Sequence, residues 1–460
     1  MMTSSAAPVV TRPASSTPPV PSSEPTATAA ASTSNVVPSG PAGSEHGSNG
    51  STTIQAAALS IQQALPPRPI FSFYLGELSQ YQVSSELYSP SRGRLCQSLC
   101  EAFNLKTEQK VEILATRTDL GQFHADNYLG LLQIASDLSA LEADEKTRKR
   151  TKTEDNLVKE RLAVFNLSLP SENKNSVFDG LFAYHRLCVS GSLGAAHMLG
   201  LGCDVAINWF GGHTRARKAR AVGGCFVNDS VLTCLGLITA HSRVLHISMD
   251  FCHCDGVEEA FYTTDRVATL SFHSSTFPTG SEEDTGYGKG AGYSVNVPVD
   301  PACFTDDVFV PLFYRIVHAC TEAFMPSAII FVASPSVMAG NRDGELNLSL
   351  KGYLDCLEVV RAMQLPLIVL GGAGSSPSVA AIGWCAATAR CLGQDLIGAE
   401  IPESCSMRDH FAASNFKLEV NARTVKEKPD TVKLAGLEAR IRNRMRLLVE
   451  GSVQEVHYSG

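Results

Sequence analysis

The sequence predicts an α/β fold, a single domain in which a central parallel sheet is flanked by helices, and three observations carry that expectation. Six short runs, at 70–74, 203–209, 243–248, 267–272, 327–333 and 365–370, are mostly β-branched or aliphatic, the pattern of strands buried on both faces. Each run is closed by Gly, Pro, Ser or Asp, the residues that end strands and open turns. Longer segments of helical spacing lie between the runs, among them 228–240, 308–324, 350–363 and 379–392. Buried strands alternating with helices build parallel sheets through helical crossovers.

The flanks read differently. The chain has 460 residues, a formal net charge of −8, 44% hydrophobic and 18% charged residues, an ordinary balance for a globular protein. Residues 1–68 depart from it, with no Phe, Trp, Tyr or Cys and only Arg12, Glu24, Glu45 and Arg68 charged. Such a Ser/Thr/Pro/Ala-rich segment buries too little apolar surface to offset the entropy of ordering, so it is expected to be a disordered tail. The folded domain is expected over 69–424, interrupted by a charged insertion at 141–161, LEADEKTRKRTKTEDNLVKER. A solvated loop or exposed helix is the plain reading of that insertion, and a nuclear-import patch at TRKRTK the other. Residues 425–460 are expected to form a C-terminal helix and tail, with Leu and Ile at helical spacing among Arg residues over 435–450.

Several classes are excluded at this level. No apolar run reaches the roughly 18 residues a membrane span needs, so none is expected. No basic segment followed by an apolar one opens the chain, so a secretory signal is not expected. Fourteen cysteines, from Cys96 to Cys405, lack the dense spacing of a secreted disulfide scaffold and are expected to be reduced, buried thiols. A pI near 5.9 argues against direct nucleic-acid binding. The expected location is nucleus and/or cytoplasm.

Ligands of open parallel sheets bind outside the carboxyl ends of the strands, so those ends are where chemistry is sought. Asp250, Cys252, His253, Cys254 and Asp255 follow the third run and are all metal-binding types packed into six residues. Alternation would point Asp250, Cys252 and Cys254 to one side, as a metal site requires. The plain alternative is a capping Asp with small buried cysteines. The Gly-rich run 371–374 lacks GxGxxG spacing and a following Lys, which argues against a phosphate cradle. Neither Ser336 nor Ser375 stands in a GxSxG elbow, which argues against a serine hydrolase.

The stretch DGVEEAFYTTDRVATLSFH (255–273) resembles the core of the class I histone deacetylases. NWFGG (208–212), CFVND (225–229), VFDGLF (177–182), NLSLKG (347–352), LGGAG (370–374) and EIPES with NFKL (400–404, 415–418) continue the resemblance in order over 69–449. It implies the arginase–deacetylase fold and, for the family, zinc-dependent hydrolysis of acetyl-lysine with a histidine pair moving protons and a tyrosine stabilising the oxyanion. Position by position, the family's machinery is degenerate here. Asp250 matches a zinc Asp, Cys252 stands where the ligand His belongs, and Pro335 falls on the remaining zinc Asp. Ser248 replaces the Asp that orients a catalytic histidine, Thr214 and Arg215 replace the histidine pair, and Ser375 replaces the tyrosine. Arg92 matches the arginine of the internal acetate channel and Ser271 a potassium-site serine. Arg342 alone survives of the inositol-phosphate contacts, with Ser89 and Ser378 at the other positions.

The resemblance therefore implies a pseudoenzyme that acts as a structural or regulatory subunit in chromatin and transcriptional control. Its expected partners are proteins, an active deacetylase or a chromatin complex among them. Zinc is the family's cofactor but is expected to be unbound or weakly bound here, and potassium remains open. Two alternatives stand beside this: a zinc-dependent lysine deacetylase with an altered site at Asp250 and Cys252, and a module that binds acyl-lysine or a small ligand without turnover. Because an unpaired buried carboxylate is costly, Arg215 or a nearby basic residue is expected to pair with Asp250; the plain alternative is Arg215 turned to solvent with Arg217, Lys218 and Arg220.

Overall fold

The structure, a computed structural model, describes residues 70–72, 78, 81, 83, 86–107, 114–144, 152–169, 173–341, 346–424 and 429–458. The N-terminal segment 1–68, residues 147–151 of the basic run and Arg342 lie outside the described residues.

Among the described residues seven strands form one sheet: β1 (Ile70–Ser72), β2 (Val205–Asn208), β3 (Val244–Met249), β4 (Val267–Ser274), β5 (Ser294–Val299), β6 (Ala328–Ala333) and β7 (Leu367–Leu370). Their order is β1-β2-β7-β6-β3-β4-β5, and every neighbouring pair is parallel. Every residue of β3, β4, β6 and β7 is buried; β6 and β7 are apolar throughout for that reason, while β3 and β4 also bury His246, Ser248, Thr269, Ser271, His273 and Ser274. The sequence predicts six of the seven strands. It does not predict β5, SVNVPV, where Asn296 and Pro298 break the apolar run. Among the described residues this strand pairs only with β4, and a sheet edge is where a proline can stand without losing a ladder bond.

The helices are α1 (Ser91–Ala102), α2 (Arg117–Leu120), α3 (Asp126–Asp144), α4 (Lys152–Val164), α5 (Leu181–Gly200), α6 (Asp229–Leu237), α7 (Asp255–Phe261), α8 (Asp306–Phe324), α9 (Leu350–Arg361), α10 (Pro377–Cys391) and α11 (Thr431–Tyr458). Side-chain caps set several of their starts. The Asn228 side chain accepts from Val231 N at 3.0 Å to open α6, and Ser349 accepts from Gly352 N at 3.2 Å to open α9. Each satisfies a donor that the helix itself leaves unpaired. α3 and α4 cover the two ends of the charged insertion.

The two faces of the sheet are covered separately. Phe309, Phe313, Leu354, Trp384, Leu437 and Ile441 from α8 to α11 bury one face against β3, β4 and β6. Ala195, Val231, Leu237 and Val257 from α5 to α7 cover the other. An Arg315–Glu438 ion pair at 2.6 Å further ties α11 to α8. All fourteen cysteines are free, and all but Cys252 are buried. No helix among the described residues is long and apolar enough to cross a membrane.

Candidate functional site

Parallel register brings the carboxyl ends of β2, β7, β6 and β3 to one edge, with Asn208 beside Leu370 and Met249 beside Ala333. The loops that follow these strands therefore converge. Asp250, the first residue beyond β3, is 3% exposed. Its Oδ1 accepts the Ser336 hydroxyl at 2.8 Å and the Cys252 amide at 3.2 Å. Ser336 is held in turn, accepting from Phe251 N at 2.9 Å, with the Ser334 hydroxyl 2.9 Å away. Burial pushes the Asp250 carboxyl above the usual range, and the bonds from Ser336, Ser334 and the Cys252 amide offset only part of that. The Cys252 thiol is also pushed up, first by burial and then by Asp250, against the pull of Arg215.

Pro335 lies buried at the first position of a short 3-10 turn, Pro335–Val337, capped by Ser334. It brings Ser336 to Asp250 and supplies no ligand of its own. The site thus holds a hydroxyl donor against one of the two carboxylate oxygens through which Asp250 could meet a metal ion. Ser336 was legible only as a polar residue at a strand end; its bond to Asp250 depends on a turn that the sequence does not reveal.

Arg215 is not where the sequence predicts it. Its Nε lies 3.4 Å from Asp255 Oδ1 rather than against Asp250, and its guanidinium stacks over the Phe277 ring at 4.8 Å. Asp255 opens α7, where the unpaired amides of a helix start favour a carboxylate. It also accepts from Arg217 Nη2 at 3.2 Å, and Arg217 pairs onward with Glu259. Asp250, already bonded by Ser336, needs no cation to satisfy its Oδ1.

The neighbouring positions are anchors. Thr214 is buried, and its carbonyl accepts from Val257 N at 3.1 Å and from Asn228 Nδ2 at 3.1 Å. His213, which the sequence did not single out, donates its backbone N–H to Asp229 Oδ1 at 2.7 Å and holds Nδ1 3.3 Å from the same oxygen. Its ring packs against Tyr88 at 4.5 Å. Ser375 is buried beside the Gly-rich turn.

Asp250, Cys252, Ser336, Ser375, Arg215 and the exposed Lys174 share a cavity of about 120 Å³. His253, adjacent to Cys252, turns away from it. Its Nε2 lies 3.3 Å from Glu258 Oε2 and its Nδ1 3.1 Å from Thr279 Oγ1, with the ring against His273 at 4.9 Å. Among the described residues, no group of three His, Cys, Asp or Glu is placed to hold a metal ion. The residues at the family's zinc position therefore do not fit zinc: one carboxylate oxygen is engaged by a hydroxyl, a single thiol stands near it, and the third position is a proline.

The potassium-like and channel-like positions are likewise built into the protein. Ser271 stands opposite Ser248 in register, its Oγ 3.1 Å from His273 Nδ1 and 3.4 Å from Cys254 N. Ser248 is buried, and its hydroxyl has no partner among the described residues. Arg92 is buried, donates from Nη1 to Gly372 O at 2.9 Å, and lies over the Trp384 ring at 4.9 Å. Burial lowers its pKa.

Comparison with known proteins places these observations. Residues 87–391 match the family model for the histone deacetylase domain. The chain is 35% identical over 362 residues to Histone deacetylase 3 of Oryza sativa subsp. japonica, an alignment covering 77% of this chain and 66% of the relative. It is 39% identical over 312 residues to Histone deacetylase 6 of Arabidopsis thaliana, covering 66% and 62%. It is 32% identical over 392 residues to Histone deacetylase 1 of Homo sapiens, covering 83% and 76%. The chain spans slightly less than two thirds of the length of these plant relatives.

Proposed function

The chain belongs to the class I histone deacetylase family, and we propose that it is a non-catalytic member, a structural or regulatory subunit that works through protein contacts in chromatin and transcriptional control. The observation that carries this reading is the Ser336–Asp250 bond at 2.8 Å: the site's one strong ligand is used inside the protein. Family chemistry needs three further things, a base, an oxyanion donor and a firmly held metal. Thr214 and Arg215 stand at the base positions and Ser375 at the donor position. Losing an oxyanion donor costs about 10²–10³ in rate, and losing the proton-transfer group about 10²–10⁴.

What remains is an α/β scaffold with an intact core, which is what an assembly role requires. An active deacetylase is the partner this reading favours, in the nucleus and/or cytoplasm. The test is hydrolysis of an acetyl-lysine peptide by the purified full chain. Turnover no faster than that of Asp250→Ala supports the proposal; turnover that Asp250→Ala abolishes overturns it and favours a deacetylase with an altered metal site.

A further inference from the structure

The former catalytic pocket has lost ligands, but it has also gained a fixed cation with free donors. The Arg215 Nε faces Asp255 at 3.4 Å, while no hydrogen bond to its two terminal nitrogens is present among the described residues. The guanidinium is clamped on two sides. Phe277 stacks on it at 4.8 Å, and Gly223 lies so close that a Cβ there would come within 2.2 Å of Nη1. Gly223 has φ +61, so this backbone both favours glycine and leaves the space that the guanidinium fills. A guanidinium held in one orientation presents its terminal fork at little further entropic cost, and that fork matches a carboxylate.

The cavity supports the same chemistry. Lys174 adds a second cation at the exposed rim, and Leu87, Phe251, Phe277 and Ala373 supply apolar wall. Asp250 is the acidic group that lines the cavity, and its Oδ1 is turned to Ser336 and the Cys252 amide. A cavity near 150 Å³ accommodates benzene, so about 120 Å³ suits a ligand of roughly five or six non-hydrogen atoms.

We infer that the pocket binds a small carboxylate, with the carboxylate oxygens on the terminal nitrogens of Arg215 and a short aliphatic body against the apolar wall. This rests on the reading that no metal fills the site. The same chemistry has two sources, a free short-chain acid or the terminal carboxylate of an acylated lysine.

The test titrates the full chain with propionate, with propionamide as the neutral isostere, and with an Nε-succinyl-lysine peptide, while the zinc content of the same sample is measured. Propionate is expected to bind with a Kd of about 0.1–10 mM, the range open to a five-atom ligand, and at least about tenfold more tightly than propionamide. Arg215→Met is expected to weaken binding about tenfold or more, and Arg217, 3.2 Å from Asp255 in the unsubstituted chain, is left to pair with that carboxylate. Lys174→Met at the exposed rim carries the test if Arg215→Met fails to fold, with an expected loss of about two- to fivefold that shrinks with added salt. Binding by the peptide alone assigns the carboxylate to an acyl-lysine and supports the inference. Equal binding of propionamide, indifference to both substitutions, or no binding of either carboxylate in metal-free protein overturns it while leaving the non-catalytic reading in place. One zinc per chain with binding abolished by chelation overturns both.

Discussion

Asp250→Asn distinguishes a buried acid from a metal ligand. Asp250 is 3% exposed, and burial raises its pKa. A group whose folded pKa is raised contributes stability that is present below its unfolded value of about 3.9 and is lost as pH rises through the folded value. At pH 8 the wild-type protein therefore carries the cost of that carboxylate, and Asn removes the charge while its Oδ1 can still accept from Ser336 Oγ and Cys252 N, now at 2.8 and 3.2 Å. An uncompensated buried charge costs up to several kcal/mol, and the two retained bonds and water entry reduce that to an expected gain of about 1–3 kcal/mol for Asn. Unfolding entropy of about 2.1 cal/mol/K per residue over about 390 residues is about 0.8 kcal/mol/K, so Tm should rise by about 1–4 °C. Thermal and denaturant unfolding at pH 5 and pH 8 measure this, with the larger gain expected at pH 8. A fall in Tm at pH 8 that disappears in chelator would refute the reasoning, because only loss of a bound metal produces it.

Other perturbations test separate parts of the structure. Ser336→Ala removes the donor to Asp250 and the acceptor of Phe251 N and should cost about 1–3 kcal/mol in denaturant unfolding; a neutral result would show that these bonds are absent in solution. His246 is fully buried without a ring partner among the described residues, and its pKa is lowered to about 4 by burial. Between pH 6.5 and about 4 the unfolded chain takes up a proton that the folded one resists, so stability falls with acidity there by as much as about 1.4 kcal/mol per pH unit. His246→Leu should flatten that fall, as compared by denaturant midpoints at pH 7 and pH 5. His124 and His273, lowered by burial to about 4 and about 3, steepen the same window. Gly212→Ala should cost more than about 2 kcal/mol or abolish soluble expression, since Gly212 has φ +92 and a Cβ would lie 2.6 Å from Gly372 N.

Six strands were legible because a strand buried on both faces is mostly apolar, and β6, AIIFVA, and β7, LIVL, show this plainly. The edge strand β5 escaped notice because an edge tolerates Asn296 and Pro298. The long helix α5 lacks a polar stripe because it is largely buried, and its small residues serve close approach: a Cβ at Gly191 would sit 2.7 Å from the Asn208 side chain. At the site, the residue types and their convergence at the strand ends were readable, whereas their pairings were not. Arg215 and Asp250 are drawn together by charge on paper, yet the loop from Gly212 to Gly224 delivers the guanidinium to Asp255, and the turn at Pro335 delivers Ser336 to Asp250. Both outcomes depend on loop paths that no periodicity encodes. Phe277 and Lys174 carried no signal at all, since each matters only through a fold that brings distant segments beside Arg215.

Zinc stoichiometry of the purified chain, measured by elemental mass spectrometry after dialysis against zinc-containing buffer, bears most directly on whether this pocket has left hydrolase chemistry. A pocket in which Ser336 occupies the Asp250 carboxylate should retain far less than one zinc per chain, and Asp250→Ala should leave that value unchanged. One firmly held zinc per chain, lost in Asp250→Ala, would contradict the non-catalytic reading.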